Sequence, residues 1–150
     1  MTPLEQMMDK AVRLNRKIVL SEGEDPRVIA AAVQARKHRI AQVALIGNRD
    51  RIAALLDQAG SRDLDGIEIH DPATSAHLPK MTDTFFRLRK HKGVTHEAAA
   101  QAVLSPHVFA ALLVKLGHAD GTLGGAITAT AEIVRTAIQI IGTAPDAKMI

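Results

Sequence analysis

The residues able to do chemistry here sort by charge and backbone freedom rather than by any nucleophile. Arg87, Arg89, Lys90 and Lys92 form the densest basic cluster of the chain. Arg87 and Lys90 share one helix face, and Arg89 lies about 100° from Lys90 on the helical wheel. Two readings stand for this cluster: a solvated face near a helix C-terminus, where cations are favoured, or a grip on phosphate, for which arginine's planar fork is suited. A second group is Gly124-Gly125, followed by Thr128, Thr130 and Arg135. Glycines ahead of a helix permit close backbone approach, and the start of a helix collects N–H groups and the positive end of its dipole, a setting that suits an anion. Thr128 and Thr130 add hydroxyls at that entrance. Arg135 falls between the apolar Val134 and Ile138, so its guanidinium calls for a partner, either a structural carboxylate or a ligand anion. The third group, Ser21-Glu22-Gly23-Glu24-Asp25-Pro26-Arg27, follows a short apolar run. It reads either as a turn with an N-cap aspartate or as the ligand end of a parallel strand.

Other chemistries find less support. The pattern at Gly124 is neither a Walker loop nor Gly-x-Gly-x-x-Gly. The chain has no cysteine, which removes disulfides, thiolate catalysis and Cys-type zinc sites. None of the seven histidines forms an i, i+4 helical pair joined by carboxylates, so no metal is expected. No Ser–His–Asp grouping is nominated by spacing.

The elements that must hold these groups follow from periodicity. Thr2-Pro3-Leu4-Glu5 supplies an N-cap, a proline at the first helical position and a capping-box glutamate, opening a helix that ends near Asn15. Ile18-Val19-Leu20 reads as a buried strand. Asp25-Pro26 opens a second helix with Ile29, Ala32 and Val33 inward. Val43–Ile46 is a second strand, Gly47-Asn48 turns into a helix carrying Ile52, Leu55 and Leu56, and Ile67–Ile69 is a third strand. Met81, Phe85 and Leu88 mark a further helix stopped by Gly93. Thr95 to Leu104 gives another, and Ser105-Pro106 caps one ending at Gly117. A short buried strand, the glycine elbow and a last helix to Gly142 complete the series. Alternating strands and helices make βαβ units, and right-handed crossovers give a doubly wound, mostly parallel sheet flanked by helices.

Composition agrees with that architecture. The 150 residues are 47% apolar, yet Phe is the one aromatic type and occurs three times, so the core is aliphatic, as helices on a parallel sheet require. The net charge of +3 comes from scattered Lys and Arg. Without Tyr or Trp to stack on bases, nucleic-acid binding is not expected, whereas small anionic substrates are compatible. No stretch approaches a membrane span, and the N-terminus lacks the h-region of a signal peptide; a cytoplasmic protein is the simplest expectation. Lys148-Met149-Ile150 reads as the first residues of another strand, so the fold is expected to be incomplete in this chain: residues 1–142 as the N-terminal α/β part of a first domain, and 143–150 as the start of a connection to a second.

These segments, in this order, resemble the N-terminal half of the phosphate acetyl/butyryltransferase family. The resemblance runs through Ile18–Arg27, Ala44–Asn48, Arg87–Thr95, Leu113–Gly121 and Ala137–Ile141. It implies an isocitrate/isopropylmalate dehydrogenase-like fold and the acetyl transfer acetyl-CoA + phosphate to acetyl phosphate + CoA. No bound cofactor is implied, coenzyme A being a substrate. The resemblance assigns Arg89 and Arg135 to phosphate or coenzyme A groups in an interdomain cleft; Gly124, Gly125, Thr128 and Thr130, read from the residues themselves as an anion-binding helix entrance, complete the candidate phosphate and coenzyme A set. It places the remaining catalytic residues, a Ser-Arg pair and an aspartate base, in a C-terminal half, so the 150 residues alone are expected to be inactive and the full protein to be a homodimer. Thr128-Ala129 stands where most members carry His-Ser or His-Thr, and Thr136 where Arg is commonly followed by Pro. A butyryl-specific enzyme and a non-catalytic acyl-CoA-binding regulatory module remain the alternatives.

Overall fold

A computed structural model describes residues 1–61 and 66–148. Its elements run α1 (Pro3–Leu14), β1 (Lys17–Leu20), α2 (Pro26–Lys37), β2 (Gln42–Ile46), α3 (Arg49–Gln58), β3 (Ile67–His70), α4 (Leu78–Arg89), a 3-10 turn (Lys90–Lys92), α5 (His96–Ala102), α6 (Pro106–Lys115), β4 (Gly121–Leu123) and α7 (Thr130–Ile140). The strands stand in the order β3-β2-β1-β4, and every pairing is parallel.

Local chemistry sets the boundaries. Thr2 and Glu5 form a reciprocal capping box at α1, and Asn15 ends that helix in the left-handed region with φ 45°, a conformation asparagine tolerates better than most residues. Asp25 caps α2, Asn48 caps α3 and Thr95 caps α5, each through a side-chain oxygen that accepts from an early backbone N–H.

Alternation along the strands splits the core in two. Val43 and Leu45 of β2 face α2 and α3, meeting Ile29, Ala32, Val33, Ile52 and Leu56. Val19, Ala44 and Ile46 face the opposite way, into Met81, Phe85, Val103, Phe109 and Leu112 from the later helices. Both sheet faces are therefore covered, as a doubly wound parallel sheet requires.

Two expectations change. The strand before the glycine elbow is not buried: β4 lies at the sheet edge beside β1, and Leu123 is 65% exposed. The last helix begins only at Thr130, because the stretch from Gly124 to Ala129 forms an irregular loop. The strand expected at Lys148-Met149-Ile150 falls at Met149 and Ile150, outside the described residues; Lys148 is exposed and in no element.

Candidate functional site

The order β3-β2-β1-β4 makes the boundary between β1 and β4 a topological switch point: the chain winds outward from β1 through β2 to β3 on one side, and returns later to β4 on the other. Open α/β sheets take ligands in the crevice beyond the carboxyl ends of the strands at such a point. Two loops meet there, Ser21–Asp25 after β1 and Gly124–Ala129 after β4.

Glu22 fills this crevice. Its Oε1 accepts the backbone N–H groups of Gly125 at 2.7 Å and Ala126 at 2.8 Å, and its Oε2 accepts those of Ile127 at 2.5 Å and Thr128 at 2.7 Å. Partial burial pushes the Glu22 carboxyl upward, but the N–H donors together outweigh it and hold the group below the ordinary carboxylate range. The backbone donors foreseen at the glycine elbow do bind an anion, and that anion is the chain's own side chain.

The neighbouring charges are paired as well. Arg27 grips the Asp25 carboxylate through Nε at 3.1 Å and Nη2 at 2.7 Å, and Nη2 also donates to the Ala126 carbonyl at 3.0 Å. The Asp25 carboxyl is held down to about 2, first by this side-chain contact and then by the Arg27 backbone N–H. Glu24 accepts from Asn48 N and from Arg51.

The two glycines serve different ends. A Cβ at Gly124 would sit 2.5 Å from Ser21 Oγ and 3.0 Å from Ile133 Cδ1, so the close approach it permits is to protein, not to a ligand. Gly125 has φ +115°, a conformation closed to residues with a Cβ.

Thr128 is half-buried on the loop, while Thr130 and Arg135 lie exposed on α7. Arg89 ends α4, a helix that packs against α7. Among the described residues neither Arg135 nor Arg89 has a hydrogen-bond or ion-pair partner. The carboxylate that Arg135 could have found inside the protein is thus not among the described residues. Arg87, Lys90 and Lys92 point to solvent.

Sequence reasoning missed three features. Glu22 as the occupant of the crevice depends on β1 and β4 being neighbours, which strand order alone reveals. His107, near the start of α6, meets Glu132 of α7 at 3.1 Å. Ser21 is 2% exposed and its Oγ has no partner among the described residues. Ser21 and His107 line a cavity of about 210 Å³ with Ile46, Pro106, Ile127 and Thr128. They also line a smaller one of about 80 Å³ that reaches Thr136.

Fold and site together define an open α/β protein with a self-filled switch point and unpaired arginines outside it. The family described as Phosphate acetyl/butaryl transferase matches residues 3–150, and the chain belongs to it. Phosphate acetyltransferases from Acetivibrio thermocellus and Thermoanaerobacterium thermosaccharolyticum are 42% and 40% identical over the whole of this chain, which spans 44% and 45% of their lengths, the N-terminal part. A phosphotransacetylase crystal structure from Streptococcus pyogenes superposes with a TM-score of 0.91 at 34% identity, covering 99% of this chain and 46% of that one. The chain therefore spans less than half the length of these relatives.

Proposed function

We propose that the complete protein is a phosphate acetyltransferase and that this chain supplies one wall of its active site. A phosphate oxygen attacks the thioester carbonyl of acetyl-CoA, the C–S bond breaks, and the proton of hydrogen phosphate passes to the coenzyme A sulfur, giving acetyl phosphate and free thiol. Arg135 and Arg89 hold the phosphate or the coenzyme A phosphates by charge-assisted contacts, and Thr128 and Thr130 donate from the approach to α7. The base and further cationic groups come from the remaining length, so the 150-residue chain by itself is inactive. The reading extends to a cytoplasmic homodimer that acts on free metabolites and needs no cofactor.

The observation that carries this reading is the pairing of family membership with two arginines, on helices that pack together, that have no protein partner among the described residues. Guanidinium groups left unpaired, where the charges of the crevice are paired, are the groups available to a ligand anion.

The test is formation of acetyl phosphate from acetyl-CoA and phosphate by the complete protein, with butyryl-CoA in parallel. Transfer from acetyl-CoA at the higher kcat/KM supports the reading. Preference for butyryl-CoA moves the protein to the butyryl branch, which Thr128-Ala129 and the buried Thr136 leave open. Binding without turnover of either thioester makes it a regulatory module.

A further inference from the structure

We propose that Glu22 is a positioning residue: its carboxylate, seated on four consecutive backbone N–H groups, fixes the loop from Gly124 to Ala129 and thereby the direction in which Thr128, Thr130 and Arg135 face a ligand anion. The proposal rests on the functional reading above, because it says how that site is aimed.

Three observations carry it. First, α7 has no cap of its own: Ala129 occupies the N-cap position and offers no side-chain acceptor, where a helix of this length ordinarily relies on Ser, Thr, Asp or Asn. The approach to the helix must be set from elsewhere. Second, four successive N–H groups converge on one carboxylate only when the backbone curls into a concave nest, so the Glu22 contacts specify the shape of the loop and do more than decorate it. Third, the loop and first turn are gripped from other sides by Arg27 on the Ala126 carbonyl and by His107 on Glu132. Of these holds, that of Glu22 alone engages the N–H groups, and it reaches Thr128 itself.

The arrangement has an electrostatic corollary. A nest left open would attract phosphate into the crevice. Filled by Glu22, which stays ionised at neutral pH, it presents no net positive charge. The ligand anion is turned outward to Arg135 and the threonine hydroxyls, and the switch point acts as a buttress.

The experiment compares the wild type with Glu22→Ala, reading amide hydrogen exchange residue by residue and transfer kinetics in the complete protein, with and without excess sodium formate. Formate is small enough to replace the missing carboxylate. In Glu22→Ala, protection at Gly125 to Thr128 is expected to fall ~10-fold or more, as loss of charge-assisted bonds implies, while that of β2 is unchanged. KM for phosphate is expected to rise by a similar factor at a temperature where both proteins are fully folded, and formate is expected to restore both readings in part. Unchanged protection overturns the proposal. So does lost protection with unchanged kinetics, which would make Glu22 a structural clamp only. If Glu22→Ala fails to fold, Glu22→Gln is read in the same way. Should the wild type show no transfer, the functional reading falls by itself, and exchange with formate rescue still decides whether Glu22 sets the loop.

Discussion

The switch-point crevice and the helices α4 and α7 treat charge in opposite ways. In the crevice Glu22, Glu24, Asp25 and Arg27 all have partners at hydrogen-bond distance. On the helices Arg89 and Arg135 have none among the described residues, and Arg135 is set among exposed apolar neighbours, Val134 and Ile138. The difference teaches where to look for work. Paired charges have spent their capacity on the fold, whereas an unpaired guanidinium on an apolar face contributes little to stability and keeps its donors for something else.

The largest effect expected from this contrast is kinetic. Arg135→Ala and Arg89→Ala should each lower transfer in the complete protein by ~10²-fold or more, the scale of a lost charge-assisted contact. Chemical denaturation should move by less than about 0.5 kcal/mol. A large loss of stability with intact kinetics would erase the distinction between the two regions. Next in size is Gly124→Ala, which drives a methyl against Ser21 Oγ and Ile133; it should cost about 1–3 kcal/mol of stability, read from a urea melt. Unaltered stability would show that the crevice is looser than its contacts indicate.

Acid should then act on the crevice through Asp25 and Glu22, alongside Glu5 in the α1 capping box and Glu68 beside Lys17 and His70, whose carboxyls are also held below their ordinary range. Asp25 is held at about 2 against an ordinary 3.8, and Glu22 is held below its ordinary 4.5. Groups with depressed values stabilise the fold above their unfolded pKa and lose that contribution as pH falls through the folded one. Stability is therefore expected to be flat with respect to these two groups near neutrality and to decline from about pH 4.5 toward 2. Circular dichroism with Asp25→Asn, which should flatten part of the decline, checks it. The smallest effect belongs to the helix face: Val134→Ser and Ile138→Ser should shift the stability of this chain by less than about 0.5 kcal/mol.

Much of the fold was legible because short-range rules decide it. Thr2-Pro3-Leu4-Glu5, Asp25-Pro26 and Gly47-Asn48 announce helix starts within four residues, and Ile29, Ala32 and Val33 occupy the buried face their spacing predicts. The site was legible in its residue types and not in its arrangement. Gly124 and Gly125 stood out as a place for an anion, but that the anion is Glu22 depends on β1 lying beside β4, a fact no local pattern contains. The burial of β4 was misjudged for a related reason: an apolar run does not reveal whether its strand is central or at an edge. His107 and Glu132 meet across two helices, and nothing in their separate neighbourhoods signals it.

The span between Glu22 and its acceptor loop, 103 residues from Glu22 to Gly125, has a consequence for how the chain acquires its structure. β1 is synthesised well before β4, yet one of its edges is completed by β4, with α2 to α6 lying between them in the chain. Closing a loop of that length costs about 4 kcal/mol of chain entropy, so the β1–β4 pairing and the carboxylate nest belong to a late, non-local step. Until then β1 carries an open edge that other chains can join, and Glu22 waits as a solvated carboxylate. Whatever slows the arrival of β4 lengthens that exposure. The final turn of the key is thus the same contact that aims the arginine, and maturation of the site should lag behind the appearance of helix and sheet in a refolding experiment.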